Sequence, residues 1–360
     1  MLCLGFVAKA THIFGGDLSM IRVDNTNKFK VGMTVYIDEK NASATSKVRL
    51  SGYQTLAIYR RRDNAIIESF KVIENPAESV VYDECGNVLG VQTTKYSYSV
   101  TKDFDPSLYK DPQGYYLTWQ DCCRNNTIVN VFSNGTNAGM AFYLQFPAMI
   151  DTGNKPFINS SPVFNFVDGQ IICVNENATI DFGARDQDGD RLEFKLVTPY
   201  STYGTTSSNK DIAPGPIRNI GGEFPSVSWR PGFSESAMIP GTPSLQIDPK
   251  TGNMTVNSSQ IGLAFVIAVE VKEYRDGVVI GIVRRDYQFQ VTECSPPPPI
   301  PIVYDGFTPP ELRDKGIREI DFCEEGFVLL DTKNSTNLSY QWAKDGVDLS
   351  CENTFQLRVT

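Results

Sequence analysis

The feature that most constrains the fold is a repeated pattern of short apolar runs separated by turn-forming residues. Residues 33–37, 56–59 and 141–146 are runs of this kind, rich in Val, Ile, Tyr and Phe. Successive side chains of a strand point to opposite faces, so short runs of this composition predict half-buried or buried strands. Clusters of Asn, Asp and Gly, such as residues 83–87, favour turns between them. The chain is therefore predicted to be all-β.

The length of 360 residues predicts about three tandem β-sandwich domains, since one immunoglobulin-type sandwich takes about 100 residues. The first is predicted over residues 11–155 and the second over 156–294, with the boundary in a polar, proline-bearing segment. A Pro-rich linker follows at residues 295–301. Residues 302–360 show an immunoglobulin-like pattern with a Trp, but they are too few for a complete sandwich, which predicts a truncated third domain.

Composition excludes several functional classes. The net charge of -9 opposes the positive field that phosphate backbones require, so nucleic acid is not an expected partner. The single histidine, His12, leaves no imidazole for a catalytic triad, and we predict that the chain is not an enzyme. Paired carboxylates for glycoside hydrolysis stay open as an alternative, although no motif favours them. No stretch approaches the roughly 18 apolar residues of a transmembrane segment.

The N-terminal residues predict export. Residues 1–10 are similar to the apolar part of a signal peptide, and Ala8 and Ala10 supply a small-x-small cleavage pattern that would leave Thr11 as the mature N-terminus. An extracellular or cell-surface location follows from this interpretation. The alternative is that the same residues form a buried first strand.

The acidic turn at residues 186–190 is the sharpest local feature. Asp186, Asp188 and Asp190 surround Gly189, and carboxylates at this spacing offer several hard oxygens to Ca²⁺. An EF-hand is excluded, because its sixth and twelfth positions would be Arg191 and Val197 rather than Gly and Glu. The alternative is an ordinary turn in which the Asp side chains accept hydrogen bonds from backbone amides.

Longer phrases around this turn resemble a bacterial cadherin-like repeat. They are Ala-Arg-Asp-Gln-Asp-Gly-Asp-Arg-Leu-Glu-Phe at 184–194 and Leu-Gln-Ile-Asp-Pro-Lys-Thr-Gly-Asn-Met-Thr at 245–255, preceded by Glu176 before a strand. The resemblance implies a Ca²⁺ site to which Glu176 contributes with Asp186, Asp188 and Asp190. The Asp-Arg-Glu phrase and the acidic linker of complete cadherin repeats are missing.

Residues 11–294 more broadly resemble the N-terminal region of large Bacteroidetes surface proteins with PKD or immunoglobulin repeats, some of them associated with gliding motility. The phrases Trp-Gln-Asp-Cys-Cys-Arg-Asn at 119–125 and Val-Lys-Glu-Tyr-Arg-Asp-Gly at 271–277 carry this resemblance. It implies type IX secretion of the full-length protein and a role as an adhesin or stalk module. The implied partner is a surface protein or a glycan of unknown identity.

Disulfides are expected in an exported chain of this kind. Cys173 and Cys294 would join the first and last strands of the second domain, and Cys323 and Cys351 would do the same in the third. In the first domain Cys85 is predicted to pair with Cys122 or with Cys123, and a vicinal Cys122–Cys123 bridge is the strained alternative. The resembled pattern has a Cys where this chain has Glu39, which leaves that pairing open.

Carbohydrate recognition is the second functional prediction, as an accessory module of a secreted polysaccharide-processing protein. The segment 201–224 is rich in Ser, Thr, Gly and Asn and is predicted to be a long surface loop of the kind that carries binding sites. Aromatic residues suited to stacking on sugar rings are Tyr109, Tyr115, Tyr116, Trp119 and Tyr203. The alternative is that these rings pack as cross-strand pairs.

Overall fold

A computed structural model describes most of the chain up to residue 294 and short stretches beyond it. The described residues are 13–24, 26–38, 50–76, 80–82, 93–121, 124, 127–132, 139–151, 153, 155–157, 159–165, 167, 171–202 and 224–294, followed by 328–331, 342–344, 347–348 and 356–359. The predicted signal peptide at residues 1–10 and the Pro-rich linker at 295–301 lie outside them.

The regular elements whose bounds the structure gives are all β-strands. The strands are β1 (Ile13–Arg22), β2 (Lys28–Asp38), β3 (Tyr53–Arg60), β4 (Ala65–Glu74), β5 (Val80–Tyr82), β6 (Thr93–Asp103), β7 (Tyr115–Asp121), β8 (Met140–Phe146), β9 (Val163–Phe164), β10 (Ile171–Cys173), β11 (Asn177–Asp181), β12 (Ala184–Arg185), β13 (Arg191–Leu196), β14 (Gln246–Ile247), β15 (Asn253–Asn257), β16 (Gly262–Arg275), β17 (Val278–Thr292), β18 (Val328–Asp331), β19 (Ala343–Lys344), β20 (Val347–Asp348) and β21 (Gln356–Val359). The predicted all-β class is confirmed. Within these described residues there is no helix long and apolar enough to cross a membrane.

One large sheet organises the chain up to Thr292. Its strand order is β1-β2-β6-β4-β3-β7-β8-β17-β16-β13, with β5 paired to β6 and β10 running parallel to β17. Because β1 also pairs with β17, the path of strands returns to its start. Two smaller sheets, β11-β15-β14 and β9-β12, lie in the same part of the chain. The apolar run at 264–269 forms part of β16 and is buried on both faces, as its composition predicts.

The predicted boundary near residue 155 does not separate two compact units. Residues 1–81 and 93–293 form one unit, and residues 82–92 and 294–360 form a second. The polar composition around residue 155 predicts a linker, but the residues that follow it are bonded to β1. The Ser161 amide donates to the Met20 carbonyl at 2.8 Å, and the Met20 amide donates to Ser161 Oγ at 2.9 Å. Both Ser160 and Ser161 are buried. Residues on both sides of the predicted boundary therefore belong to one compact unit.

Strand β17 joins the two halves of this unit through consecutive buried charges. Arg285 Nε donates to Asp17 Oδ2 of β1 at 2.7 Å, and Arg285 also donates to the Asn165 carbonyl at 2.7 Å. The next residue, Asp286, accepts from Arg124 Nη1 at 2.9 Å and from Arg124 Nη2 at 2.5 Å. All four side chains are nearly inaccessible to solvent. Each pair links residues far apart in sequence, across the predicted boundary.

The two ends of the large sheet differ in which strand ends and turns lie there. Because β1 and β17 are antiparallel with Gly16 opposite Asp286, Ile13 and Thr292 lie at one end, which we call the terminal end. The Gln288 side chain, which donates to the Ile13 carbonyl at 3.0 Å, lies there too. At the opposite end, called the hairpin end, lie the turns that follow Arg22, Arg60 and Arg275. Strand β1 thus begins, and strand β17 finishes, at the same end of the sheet.

Candidate cation site

The turn between β12 and β13 is held by one of its own carboxylates. Asp186 Oδ1 accepts hydrogen bonds from the backbone amides of Asp188 and Asp190, both at 2.9 Å. Gly189 has φ of +83°, a left-handed conformation that glycine adopts without steric cost. These features match the ordinary turn predicted from the sequence. The second oxygen, Asp186 Oδ2, is buried and has no hydrogen-bond partner, which an ordinary turn does not explain.

Glu273 reaches the same place from β16. Its side chain is completely buried, because it continues the inward face formed by Val269 and Val271 at a spacing of two. It lies opposite Gly281 of β17, where an added Cβ would stand 2.3 Å from Glu273 Oε2. Glu273 Oε2 accepts from Asn159 Nδ2 at 3.0 Å, whereas Oε1 is buried without a partner. A second orphan carboxylate oxygen therefore lies in this region.

Asp186, Asp190 and Glu273 form one acidic group. One oxygen from each lies within 4.8 Å of the other two. Asp190 is also paired with Arg275, whose Nε donates to Oδ1 at 2.9 Å and whose Nη2 donates to Oδ2. The same Nη2 donates to Asn159 Oδ1 at 2.7 Å. Arg275 thus pairs with only one of the three carboxyl groups, which leaves an excess of negative charge if all three are ionised.

The pKa values of the group reflect that excess. Burial, followed by the charge of Asp186, raises the pKa of Glu273 to about 9. Burial also raises the pKa of Asp186, and the negative charges of Asp190 and Asp188 add to the effect. The hydrogen bonds from Arg275 lower the pKa of Asp190 instead. A side-chain hydrogen bond between Glu273 and Asp190 contributes to both shifts, raising the pKa of Glu273 and lowering that of Asp190.

Two of the four predicted ligands lie in the group and two do not. Asp186 and Asp190 are members. Asp188 is exposed and accepts from the Ser160 amide at 2.5 Å, so its carboxylate fastens the turn to a neighbouring segment. Glu176 is exposed after β10 and is not a member. Sequence reasoning missed Glu273, although an acidic residue continuing an apolar inward face was a signal for a buried carboxyl group.

The aromatic residues that could have stacked on sugars are core residues instead. Tyr109, Tyr115, Tyr116 and Trp119 are all buried. Tyr116 stacks on Tyr59 and on Tyr143 with ring centroids 5.4 Å apart in both pairs, and Trp119 packs on Phe142 at 4.8 Å. These four aromatic residues therefore pack within the protein, as the second interpretation of the sequence expects. Tyr203 and most of the predicted loop at 201–224 lie outside the described residues.

The cysteines are described only in part. Cys173 and Cys294, predicted to be joined to each other, are both disulfide-bonded. The other candidates, Cys85, Cys122, Cys123, Cys323 and Cys351, lie outside the described residues, so their pairing stays a prediction.

An open groove of about 500 Å³ lies between the edges of two sheets. It is lined by Lys195, Leu196, Ser234, Glu235, Ser236, Ser244, Leu245 and Gln246. Lys195 Nζ and Glu235 Oε1 are 3.5 Å apart, and Glu235 Oε2 accepts from the amide and the hydroxyl of Thr198 at 2.9 Å. Glu235 is the one carboxylate among these lining residues. The paired carboxylates of a glycoside hydrolase are therefore not found among them.

Comparisons with known proteins do not identify a family. No family model matches the chain, and no curated protein matches it. Among solved structures the chain is similar to a chimeric titin Z1Z2-Z1Z2 tandem functionalised with a GRGDS peptide from fibronectin, at 10% identity and a TM-score of 0.20. That alignment covers 77% of this chain and 99% of the titin chain. A likeness at this TM-score carries no conclusion about function.

Proposed function

We propose that this chain is a non-catalytic module of an exported cell-surface protein, which holds one end of its large sheet toward a binding partner. The observation that carries the proposal is the arrangement of the large sheet. Ile13, where β1 begins, and Thr292, where β17 finishes, lie together at the terminal end, and the hairpin end lies opposite to them. A module connected to its neighbours at the terminal end would present the hairpin end to other molecules, as an adhesin head does.

The surface of the hairpin end suits such a contact. Val278, next to the β16–β17 turn, is 63% exposed, and Val23, next to the β1–β2 turn, is 52% exposed. Further exposed apolar side chains at this end are Ile66, Leu108 and Val279. Single exposed apolar residues are common on proteins, but several of them at loop tips, among charged neighbours, resemble the mixed surface of a protein interface.

The arrangement of acidic residues supports a non-catalytic role. Glu273 is completely buried, so a substrate cannot reach its carboxyl group from solvent. The groove beside β13 brings one carboxylate, Glu235, to its lining, whereas acid and base catalysis on a glycosidic bond uses two.

Adhesion assays on the producing cells test this proposal. Deleting the gene should weaken adhesion of the cells to one another or to a surface, and the wild-type chain should restore it. Val278→Asp places a charge at the hairpin end and should restore adhesion poorly. Ile261→Asp is the matched control, because Ile261 is 52% exposed at the terminal end. Full adhesion without the gene, or equal restoration by the two variants, would contradict the proposal, as would finding the protein inside the cell.

Carbohydrate binding is the second candidate, and the groove favours it. Three serine hydroxyls, the Gln246 side-chain amide and two charged side chains line it together with Leu196 and Leu245. Polar groups beside apolar surface suit a sugar, which has hydroxyl groups and an apolar ring face. A glycan array should then show binding that Gln246→Ala weakens and that Gln260→Ala, at another exposed glutamine, leaves unchanged. An array without signal would remove this candidate.

A further inference from the structure

We infer that Asp186, Asp190 and Glu273 bind a divalent cation with the oxygen preference and size of Ca²⁺. The ligand set differs from the one that the sequence predicts, because Glu273 of β16 takes part while Glu176 and Asp188 do not. The part that this cation plays in bracing the hairpin end rests on the proposed function, whereas the site itself does not depend on it.

The first support is the pair of orphan oxygens. Asp186 Oδ2 and Glu273 Oε1 are buried and lack any hydrogen-bond donor. Buried polar atoms are nearly always satisfied in folded proteins, so an orphan atom calls for a water, an ion or a proton. Here the two orphans come from side chains 87 residues apart in the chain, positions 186 and 273, that meet in one group. Glu273 meets this group with none of its surface exposed to solvent.

The second support is the size of the group. Ca²⁺ binds oxygen at about 2.3 to 2.6 Å, so two ligands on opposite sides of the ion are up to roughly 5 Å apart. The three carboxylate oxygens lie within 4.8 Å of one another. Mg²⁺ demands a near-ideal octahedron and gives up its water ligands reluctantly, so a set of three carboxylates suits the more flexible coordination of Ca²⁺ better. The absence of Cys and His from the group also disfavours Zn²⁺.

The third support is charge. Asp186, Asp190 and Glu273 carry three negative charges when ionised, and Arg275 supplies one positive charge. A divalent cation neutralises the remaining two.

The position of the site indicates what the cation would do. Its ligands come from the turn before β13 and from β16, and Asn159 and Arg275 attach the segment before β9 to the same group. Asp188 and Gln187 of the turn also bind Ser160 and the Arg22 carbonyl at the end of β1. A bound cation would therefore fasten several segments of the hairpin end to each other.

The test uses Ca²⁺ alone on the whole purified chain, after treatment with EDTA. Isothermal titration should give a single binding event, and Ca²⁺ at a hundred times its Kd should raise the melting temperature by roughly 5 °C. Glu273→Gln keeps the shape of the side chain and should abolish both effects. Glu176→Gln is the matched control at the residue that the sequence predicted, and it should bind as the wild type does.

Three results would overturn the inference. They are no binding heat and no melting shift for the wild type, an unchanged response in Glu273→Gln, or a loss of response in Glu176→Gln. Mg²⁺ at the same concentration should shift the melting temperature less, and an equal shift would refute the assignment to Ca²⁺. Asp186→Asn and Tb³⁺ luminescence of the wild type provide independent readouts if Glu273→Gln does not fold. Adhesion can fail while Ca²⁺ still binds, so the two proposals fail separately.

Discussion

Replacing Asp17 by Asn should destabilise the whole unit of residues 1–81 and 93–293. Asp17 is the charge partner of Arg285, which is buried and also lies over the Phe164 ring at 4.4 Å. Removing one member of a buried ion pair leaves the other charge uncompensated, at a cost of about 3 to 5 kcal/mol. Because the Asn carbonyl can still accept from Arg285, we expect the lower value. A loss of about 3 kcal/mol corresponds to a fall in melting temperature of about 6 to 12 °C.

The assay is unfolding in urea, monitored by the fluorescence of one tryptophan at a time, on one side or the other of residue 155. One background keeps Trp119 and replaces the other two tryptophans by Phe, and the other keeps Trp229. Asp17 and Arg285 link β1 to β17, so both reporters should show one coincident transition, and Asp17→Asn should shift both by the same free energy. Glu193→Gln, at an exposed pair with Arg191, is the control and should change stability by less than about 0.5 kcal/mol.

Two outcomes would refute this reasoning. If Asp17→Asn shifts the Trp119 transition and leaves that of Trp229 in place, the chain folds as the two independent modules that the segment around residue 155 suggests. If both transitions move by less than about 1 kcal/mol, the buried pair does not contribute as its burial implies.

The remaining predictions concern the acidic group and the disulfides. In EDTA, the pKa of Glu273 in the folded protein is about 9, above its ordinary value of 4.5, so between these two pH values the folded protein holds more protons than the unfolded chain. The stability of the wild type relative to Glu273→Gln, measured by thermal melts, should therefore be greatest below about pH 4.5 and should fall toward pH 9. Gly281→Ala should displace the Glu273 carboxyl group, lower the stability of the protein by about 1 to 3 kcal/mol and abolish the Ca²⁺-dependent rise in melting temperature. If that rise is retained, Gly281 does not lie as close to the Glu273 carboxyl group as the structure has it. Cys173→Ser should cost about 2 to 5 kcal/mol in urea unfolding, and a non-reduced peptide map should recover Cys173 linked to Cys294; a different linked peptide would overturn the predicted pairing.

The local sequence pattern was sufficient to predict where these strands lie. Residues 33–37, 56–59 and 141–146 lie in β2, β3 and β8, and the run at 264–269 lies in β16. These segments are predictable because alternation, β-branched content and flanking turn residues act within a few residues of one another. The turn at Asp186 was predictable for the same reason, since its carboxylate binds amides only two and four positions further on.

Only part of the candidate site, Asp186 and Asp190, could be predicted from the sequence. The spacing of Asp186 and Asp190 indicated hard oxygens, but nothing near them in sequence points to Glu273. The inward position of Glu273 follows from its spacing to Val269 and Val271, yet that spacing identifies a buried acid and not its neighbours. The resemblance to cadherin-like repeats implied Glu176, which lies exposed and outside the group.

By itself, then, the sequence determined that this chain is built of strands, that an Asp-rich turn precedes β13, and that its inward faces are apolar, because each of these depends on interactions between near neighbours. Only the tertiary structure decided that the strands on both sides of residue 155 share one sheet and that Glu273 joins Asp186 and Asp190. Strand pairing uses backbone groups that every residue possesses, so its partners depend on how distant segments pack and not on local composition. The buried pair of Asp17 with Arg285 is an example, since neither residue identifies the other from its surroundings in the chain.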